Sequence, residues 1–279
     1  MKKMKQKKKK ITISDITVLK KYFGFKGLNT VCQSAKCPNI GECFKKRTAT
    51  FLILGKYCTR RCGFCAVEKH NPELIDINEP AKIAKAIKRL GLSYSVITSV
   101  TRDDLSDGGA EHFAKTINEI KTLIPESKVE VLVPDFLGNT KSIDIVLSAN
   151  PDVFSHNLET VPALYGKVRK GADYKRSLEV LRYAKAAGFK VKTGIMLGLG
   201  ETETQVFETI EDIKNTNIDT LTIGQYLAPT KEHYLVIKEY SPEEFKTMEI
   251  FAVLSGIKQV TSGRYVRSSY LAEENFKRL

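Results

Sequence analysis

The sequence is poor in cysteine, contains no tryptophan and has no long apolar run. Only six cysteines occur in 279 residues. A chain of 31.3 kDa can bury a substantial core without disulfide cross-links, so these thiols are not needed to staple the fold. No apolar stretch reaches the length of a membrane-spanning helix, and we therefore expect a soluble protein without a membrane partner.

Acidic residues are fewer than basic ones, and much of the excess lies at the amino end. The chain has 45 Lys and Arg against 32 Asp and Glu, and seven of the lysines fall within the first ten positions. We expect residues 1–13 to form a solvated, disordered tail. No apolar segment follows this tail, so a secretory signal is not predicted, and free thiols indicate a reducing compartment such as the cytoplasm. A basic face interleaved with aromatic residues is also missing, which argues against a nucleic-acid partner.

Three of the six cysteines, Cys58, Cys62 and Cys65, fall within eight residues. They follow the apolar, β-rich run 49–55, which predicts a buried strand with the triad at its carboxyl end. Three thiolates from one turn can hold three irons of a cubic iron–sulfur cluster and leave the fourth iron without a local ligand. A zinc site is the alternative, although zinc sites prefer two C-x2-C pairs, which this chain lacks.

The other three cysteines form an upstream triad, Cys32, Cys37 and Cys43, in the pattern C-x4-C-x5-C. The two triads use every cysteine of the chain, a division that chance or a disulfide framework would not produce so neatly. The upstream triad lies in a loop with proline, glycine and asparagine, and we interpret residues 14–48 as an arm outside the main domain. This arm is predicted to begin with a short capped helix over residues 14–24.

The rest of the chain alternates predicted strands with predicted helices. The predicted strands cover residues 49–55, 95–101, 128–133, 152–155, 190–197 and 219–226. The predicted helices cover residues 79–90, 110–124, 141–149 and 174–187, and two more open in capping boxes at Thr202 and Ser241. Six βα units of this kind build a parallel sheet with helices outside, so the predicted fold class is α/β. We assign residues 49–256 to the main domain and residues 257–279 to a short C-terminal extension.

Three motifs together resemble the lipoyl synthase family of radical S-adenosylmethionine (SAM) enzymes. They are the C-x4-C-x5-C pattern, the C-x3-C-x2-C pattern with Phe64 before its last cysteine, and Arg267-Ser268-Ser269-Tyr270 near the carboxyl end. The resemblance covers nearly the whole folded chain. It implies that the sheet curls into a partial (β/α)6 TIM-like barrel, preceded by a cluster-binding arm.

The resemblance also implies two 4Fe–4S clusters and SAM as cofactors. The downstream triad would hold the cluster that binds and reductively cleaves SAM, with Phe64 in the same loop as a cofactor-binding residue. The upstream triad would hold an auxiliary, sulfur-donating cluster. Its remaining iron would take the side-chain oxygen of Ser269, because no seventh cysteine exists.

Further candidates lie at the ends of predicted strands. The H-N-L-E-T run resembles the family's H-N-x-E-T, and its alternate residues Asn157 and Glu159 could reach the ribose hydroxyls of SAM, although a loop with a surface glutamate is equally compatible. Residues 98–109 resemble T-S-V-x-R-D-D-L-x-D-G-G and could receive the SAM headgroup, or form a capped loop stitched by Arg–Asp pairs. Lys192 lies within a predicted strand, so its side chain would face either an exposed edge or the barrel lumen. In the lumen its ammonium could pair with a carboxylate, and we therefore count it among the candidate cofactor-binding residues. The glycine-rich run 198–201 lacks the rest of a nucleotide motif.

The activity that the resemblance implies is the insertion of two sulfur atoms at carbons six and eight of a protein-bound octanoyl chain. Both C–H bonds are unactivated, so the reaction needs radical chemistry supplied by a cofactor. The implied partners are an octanoylated lipoyl-carrier protein, either a lipoyl domain or an H protein, and an electron donor such as flavodoxin or ferredoxin.

Other functions remain open at this point. A biotin synthase-like enzyme would need barrel cysteines beyond the first loop, and a methylthiotransferase-like enzyme usually carries an RNA-binding module after the barrel. From a different class, a zinc-stabilised RNA-binding protein would also explain cysteines together with basic charge. Anaerobic analysis of metal and sulfide separates the zinc protein from the enzymes.

Overall fold

The computed structural model describes residues 28–31, 39, 42, 43 and 48–278. The expected tail, the expected helix over residues 14–24, and the cysteines Cys32 and Cys37 lie outside these described residues. What the sequence indicates for those segments stays a prediction.

The described strands form one eight-stranded sheet in which neighbours in space are also neighbours in sequence. The strands are β1 (Asn29–Thr30), β2 (Thr48–Ile53), β3 (Tyr94–Ser99), β4 (Lys128–Leu132), β5 (Val153–Ser155), β6 (Val191–Leu197), β7 (Thr220–Gln225) and β8 (Gln259–Gly263). β1 pairs antiparallel with β2, and each later pair is parallel. Within the described residues no pairing joins β8 to the other edge, so the sheet is open. The predicted α/β class with a partial barrel is confirmed.

Helices connect the parallel strands, and two of them open in the capping boxes that the sequence predicts. The helices are α1 (Glu79–Leu90), α2 (Ala110–Leu123), α3 (Thr140–Ser148), α4 (Tyr165–Val168), α5 (Tyr174–Ala186), α6 (Glu203–Lys214), α7 (Pro242–Leu254) and α8 (Ala272–Lys277), with short 3-10 turns at Phe136–Gly138 and Pro162–Leu164. Thr202 and Gln205 form the capping box that opens α6, and Ser241 and Glu244 form the one that opens α7. In the part of the chain that the structure describes, no helix has the length and apolar character needed to cross a bilayer.

The main core lies between the helices and one face of the sheet. Phe51, Ile97, Val131 and Phe154 are register partners on four adjacent strands, so they share that face, and each is fully buried. A parallel sheet of this kind is covered on both sides, so most residues of its inner strands are buried.

The predicted C-terminal extension contributes two elements to the barrel. β8, which was not predicted, pairs with β7, and α8 packs against the amino ends of the strands. Ala272 lies in one buried cluster with Tyr94, and the ring of Phe276 is 5.8 Å from that of Tyr94. Gln259 Nε2 donates to Asn275 Oδ1 at 3.1 Å. Because Tyr94 and Gln259 are the first residues of their strands, α8 lies at the amino end of the barrel, opposite the ends where chemistry is expected.

Candidate functional site

The cysteine loop, residues 58–65, leaves the carboxyl end of β2 through a strained turn. Leu54 (φ 67°) and Gly55 (φ 92°) both adopt the left-handed backbone conformation, which is unusual for leucine. The backbone N–H of Leu54 donates to Glu79 Oε2 at 2.8 Å, and His112 Nε2 lies 2.8 Å from the same oxygen. These buried contacts fix the direction in which the chain enters the cysteine loop.

Thr59 joins the cysteine loop to the segment that follows β3. Its backbone N–H and its hydroxyl both donate to the carbonyl of Thr101, at 3.0 and 2.9 Å. The same hydroxyl accepts a hydrogen bond from the N–H of Asp103 at 3.1 Å. We call these three hydrogen bonds the Thr59 bridge.

The charged side chains of the polar segment 98–109 form ion pairs with other residues of the protein. Arg60 Nε and Nη2 donate to the two carboxylate oxygens of Asp103 at 2.7 and 2.9 Å. Arg102 Nε and Nη2 donate to the two oxygens of Asp104 at 2.9 and 2.8 Å. The structure therefore contains a loop stitched by Arg–Asp pairs, one of the two arrangements expected from the sequence.

Asp135 joins the same network from the chain that follows β4. Arg60 Nη2 donates to Asp135 Oδ1 at 2.6 Å, and Arg176 Nε donates to Oδ2 at 2.8 Å. Burial alone would raise the pKa of this carboxyl, but hydrogen bonds and charge from Arg60, together with a hydrogen bond from Arg176, hold the pKa well below its ordinary 3.8. Ion pairs thus tie the cysteine loop to the ends of two further strands and to α5.

The three thiols of the cysteine loop are free and half-buried. Cys58 Sγ accepts two backbone hydrogen bonds, from the N–H of Arg60 at 3.4 Å and from that of Thr101 at 3.3 Å. Burial raises the pKa of Cys62 to about 12, and burial also raises the pKa of Cys65. Because metal binding requires thiolates, these protons would be released when a metal group binds.

The donor chemistry of this loop fits an iron–sulfur cluster. In a cubic cluster each thiolate binds a different iron, so its cysteine ligands stand apart from one another. A single zinc ion would instead draw its ligands to within about 2.3 Å of one point. The three free thiols on one loop and the N–H bonds to Cys58 Sγ are both compatible with a cluster.

The tip of the cysteine loop is held between α4 and the chain after β7. The N–H of Gly63 donates to the carbonyl of Val168 at 2.8 Å, and the N–H of Tyr234 donates to the carbonyl of Gly63 at 2.9 Å. Phe64, the next residue, is half-buried and packs against the main core. A contact between Phe64 and a cofactor stays a prediction.

Asn157 and Glu159 follow β5 and lie close to the cysteine loop. Asn157 Nδ2 donates to Glu159 Oε1 at 3.1 Å, whereas Asn157 Oδ1 is buried with no hydrogen-bond partner in the described part of the chain. The backbone N–H of Glu159 donates to the carbonyl of Gly194 at 3.0 Å, and the carbonyl of Glu159 accepts a hydrogen bond from the N–H of Met196 at 2.8 Å. Burial raises the pKa of the Glu159 carboxyl, and its charge acts on the thiol of Cys62. Glu159 is thus within electrostatic reach of the thiols, Asn157 is hydrogen-bonded to it, and Asn157 Oδ1 is a buried acceptor available to a ligand.

Arg169 lies in the same region, and sequence reasoning missed it. Its side chain is buried, and Nη1 donates to the hydroxyls of Tyr165 at 2.9 Å and Ser177 at 3.1 Å. The charge of Arg169 opposes the effect of burial on the pKa of both Cys62 and Glu159, so it lies within electrostatic reach of both. In the sequence it is one of three basic residues in four positions, and nothing there separates the buried cation from its exposed neighbours.

Lys192 lies in the barrel lumen, one of its two predicted placements. Its Nζ is 3.0 Å from Oε1 and 3.3 Å from Oε2 of Glu130, and the two side chains are only 3% and 2% exposed. Glu130 also accepts hydrogen bonds from the hydroxyls of Tyr94 at 2.7 Å and Ser155 at 3.0 Å. The carboxylate that Lys192 meets therefore belongs to the protein itself, and a cofactor contact stays a prediction.

The glycine-rich run 198–201 binds its own glutamate. The N–H groups of Gly198 and Leu199 donate to the two carboxylate oxygens of Glu201, at 2.5 and 2.9 Å. Successive backbone N–H groups can bind an anion, but here a side chain of the same run fills that place. The weak resemblance to a phosphate loop therefore has no counterpart in the structure.

Cys43 is the upstream cysteine that the structure describes, and it lies beside a contact with the carboxyl-terminal motif. Its chain neighbour Glu42 accepts a hydrogen bond from the hydroxyl of Tyr270 at 3.2 Å. Tyr270 in turn follows Ser269 in the chain. Coordination of an iron by Ser269 stays a prediction.

Comparison with known proteins identifies the family. The model of the Radical SAM superfamily matches residues 52–213, more than half of the chain. A lipoyl synthase from Caldicellulosiruptor saccharolyticus is 57% identical over 252 residues, which cover 90% of this chain and 88% of that protein. This chain belongs to the lipoyl synthase family. A lipoyl synthase from Aquifex aeolicus is 50% identical over 264 residues, covering 94% of this chain and 96% of that protein. Family membership confirms the predicted radical SAM enzyme class, with SAM and iron–sulfur clusters as cofactors.

Solved structures share the fold at much lower sequence identity. The FeFe-hydrogenase maturase HydG from Carboxydothermus hydrogenoformans aligns with a TM-score of 0.63 and 15% identity, over 83% of this chain and 56% of that one. Methylornithine synthase (PylB) aligns with a TM-score of 0.56 and 16% identity, over 90% of this chain and 82% of that one. At this identity the likeness concerns the fold alone.

Proposed function

We propose that the protein is a lipoyl synthase, which inserts two sulfur atoms at carbons six and eight of a protein-bound octanoyl chain. Relatives at 57% and 50% identity carry this name and align over nearly the whole chain. The structural observation that carries the proposal is the position of Glu159: it accepts a hydrogen bond from Asn157 and lies within electrostatic reach of Cys62 and Cys65, at the carboxyl ends of the barrel strands. Active sites of barrel enzymes lie at these ends.

The reaction depends on cofactor chemistry because both C–H bonds are unactivated. No side-chain acid, base or nucleophile removes such a hydrogen at neutral pH. SAM bound at a reduced cluster supplies a carbon radical that can do so. The part left to the protein is to hold both groups, to orient the octanoyl carbon and to exclude water.

The residues at the barrel mouth divide this work. Cys58, Cys62 and Cys65 would hold the cluster that binds SAM. Asn157 and Glu159 accept hydrogen bonds from the ribose hydroxyls, which is a role for the buried acceptor Asn157 Oδ1. The buried Arg169 supplies a positive charge that offsets the carboxylate of Glu159.

The auxiliary cluster supplies the sulfur. The upstream triad and Ser269 are its ligands in this proposal, and the Tyr270–Glu42 hydrogen bond supports their proximity. An oxygen ligand suits iron–sulfide surroundings less well than a thiolate does, so Ser269 would be the most weakly bound ligand of a cluster that would supply the sulfur.

The substrate is an octanoylated lipoyl-carrier protein, either a lipoyl domain or an H protein. The enzyme receives its electrons from a flavodoxin or a ferredoxin, and it works in the cytoplasm, where its thiols stay reduced.

The test is an anaerobic turnover with an octanoylated carrier peptide, followed by mass spectrometry. Reconstituted protein should contain about eight irons if both triads hold four-iron clusters. Replacing Cys58, Cys62 and Cys65 by alanine should abolish SAM cleavage. Replacing Cys32, Cys37 and Cys43 should spare some cleavage and stop sulfur insertion.

Two outcomes would contradict parts of this proposal. Zinc without sulfide in anaerobically purified protein would end the enzyme assignment. Protein reconstituted with heavy-isotope sulfide should give heavy lipoyl product, and light sulfur in that product would remove the auxiliary cluster as the donor.

A further inference from the structure

The three sulfurs of the cysteine loop differ in the hydrogen bonds that they receive. Cys58 Sγ accepts from the N–H of Arg60 at 3.4 Å and from the N–H of Thr101 at 3.3 Å. The backbone of Val67 lies near Cys65 and acts to lower the pKa of its thiol. For Cys62 no donor exists among the residues that the structure describes. The cluster ligands are thus unequal, and Cys58 is the one with two donors.

The two donors to Cys58 come from different parts of the chain. One is in the cysteine loop, and the other follows β3, 43 positions after Cys58. Both reach one sulfur only if these two segments keep a fixed separation. The Thr59 bridge sets that separation, because it joins the residue between Cys58 and Arg60 to the carbonyl of Thr101 and to the N–H of Asp103.

The side chain of Arg60 supports the bridge from the other side. Its guanidinium binds Asp103 at 2.7 Å and Asp135 at 2.6 Å, and only 6% of the side chain is exposed. With its side chain anchored on two strands, the backbone N–H of Arg60 is held toward Cys58 Sγ. Burial and ion pairing make this arrangement rigid, so the geometry at the sulfur is preset rather than induced by the cluster.

We propose that Thr59 is a positioning residue that raises the reduction potential of the cluster held by Cys58, Cys62 and Cys65, by keeping two N–H donors on Cys58 Sγ. A hydrogen bond to a ligand sulfur stabilises the more negative, reduced state of a cluster, so it raises the potential. This inference rests on the proposed function, since it assumes that the downstream triad holds the cluster that takes an electron before SAM cleavage.

The test changes the Thr59 hydroxyl without changing any charge. Thr59→Val removes the hydroxyl at nearly constant volume, leaving the N–H of Asp103 without its acceptor. Thr59→Ser keeps the hydroxyl. Thr116→Val is the matched control, because Thr116 is a fully buried threonine of α2 whose hydroxyl donates to the carbonyl of His112, away from the cysteine loop. None of the three substitutions adds or removes a charge, so none of them changes the cluster potential through the long-range electrostatic effect of a charge.

The measurement is a potentiometric titration of the reconstituted full-length protein, followed by electron paramagnetic resonance. The signal to follow is the one that changes when SAM is added, since this assigns it to the SAM-binding cluster. At a fixed ambient potential, Thr59→Val should lower the ratio of reduced to oxidised cluster about tenfold, which is a shift of about 59 mV for a one-electron couple. Thr59→Ser and Thr116→Val should titrate like the parent protein.

Three results would overturn the inference. The first is a Thr59→Val cluster with the parent potential. The second is a Thr59→Ser cluster that shifts as far as Thr59→Val. The third is loss of the cluster in both Thr59→Val and Thr59→Ala, two variants that lack the hydroxyl. That result would mean that the Thr59 bridge is needed to assemble the cluster rather than to set its reduction potential. None of these results depends on sulfur insertion, so failure of the proposed function would appear separately, as absent dithiolated product from the parent protein.

Discussion

The hydroxyl of Tyr270 donates to Oε1 of Glu42 across 3.2 Å, although the two residues are 228 positions apart in the chain. A second contact runs beside it, from Asn39 Nδ2 to the carbonyl of Tyr265 at 2.6 Å. These two hydrogen bonds of high sequence separation join residues 39 and 42 to the segment after β8. Glu42 precedes Cys43 and Tyr270 follows Ser269, so the junction lies beside two of the ligands proposed for the auxiliary cluster.

Tyr270→Phe should weaken this junction while leaving the cysteine loop intact. One hydrogen bond of this kind is worth about 1 kcal/mol, so dithiolated product should fall roughly fivefold. SAM cleavage should remain at the parent rate, because Tyr270 has no part in the Thr59 bridge. Tyr183→Phe removes a tyrosine hydroxyl that binds Asp144 on the helical surface, and it should leave both activities unchanged. Equal losses of cleavage and insertion in Tyr270→Phe would contradict a role confined to the auxiliary site.

Ser269→Ala removes the oxygen that we propose as the fourth ligand of the auxiliary cluster. Loss of a group that orients or binds a metal centre typically costs about tenfold or more in activity, so sulfur insertion should fall by at least that factor. SAM binding at the other cluster should be unchanged. The matched control is Ser268→Ala, one residue earlier in the same motif. A Ser269→Ala protein with full insertion activity would remove this residue from the ligand set.

Strands were predictable from the sequence where both of their faces are buried. β2 to β7 lie inside the sheet and most of their residues are buried, whereas β8 contains only one large apolar residue, Val260, and four of its five positions are half-exposed. β8 pairs with a single neighbour and is less buried than the inner strands. Fewer of its side chains are therefore apolar, and the apolar pattern from which strands are predicted is weak. The segment was therefore assigned to an extension although it pairs with β7.

Candidate site residues can be proposed from the sequence where they are close together in it. The cysteines, Asn157 and Glu159 stand in short patterns, but Glu130 stands alternately with apolar residues in a strand, which predicts a solvent-exposed face. In a barrel that face is the lumen, and the partner of Glu130 is Lys192, 62 positions later. Such a pairing depends on the curvature of the whole sheet, which no local pattern encodes.

Asp135→Asn should destabilise the protein in a pH-dependent way. The variant leaves Arg60 and Arg176 without their buried carboxylate, and breaking a buried ion pair costs about 3 kcal/mol. The depressed pKa of Asp135 means that its contribution is fully present above the ordinary value of 3.8 and is lost as the pH falls through its lower value in the folded protein. The difference between parent and variant should therefore be constant near neutral pH and shrink below about pH 4.

The measurement is urea unfolding of cluster-free protein across this range. Asp144→Asn, which changes a carboxylate bound to Tyr183 on the surface, is the control and should change stability by less than about 0.5 kcal/mol. A gap between the parent and Asp135→Asn that stays constant down to pH 3 would contradict the assignment of the shift to this carboxyl.

Lys192→Met should strongly destabilise the barrel, because it leaves the carboxylate of Glu130 without its cation in a lumen where that side chain is only 2% exposed. The expected loss is about 3 kcal/mol in the free energy of unfolding. Replacing both partners removes the uncompensated charge, so Lys192→Met combined with Glu130→Gln should recover most of that loss. Denaturant unfolding of the two single variants and the double variant measures the coupling.

The same proteins decide whether Lys192 also binds the cofactor. The Lys192–Glu130 pair lies near the Tyr94 end of the barrel, whereas the thiols lie at the opposite ends of the strands. If the ammonium serves only Glu130, SAM affinity measured by calorimetry should be equal in the double variant and the parent protein. A SAM affinity that stays weakened in the stable double variant would assign Lys192 to the cofactor site, because the defect would then persist after the charge of Glu130 has been removed.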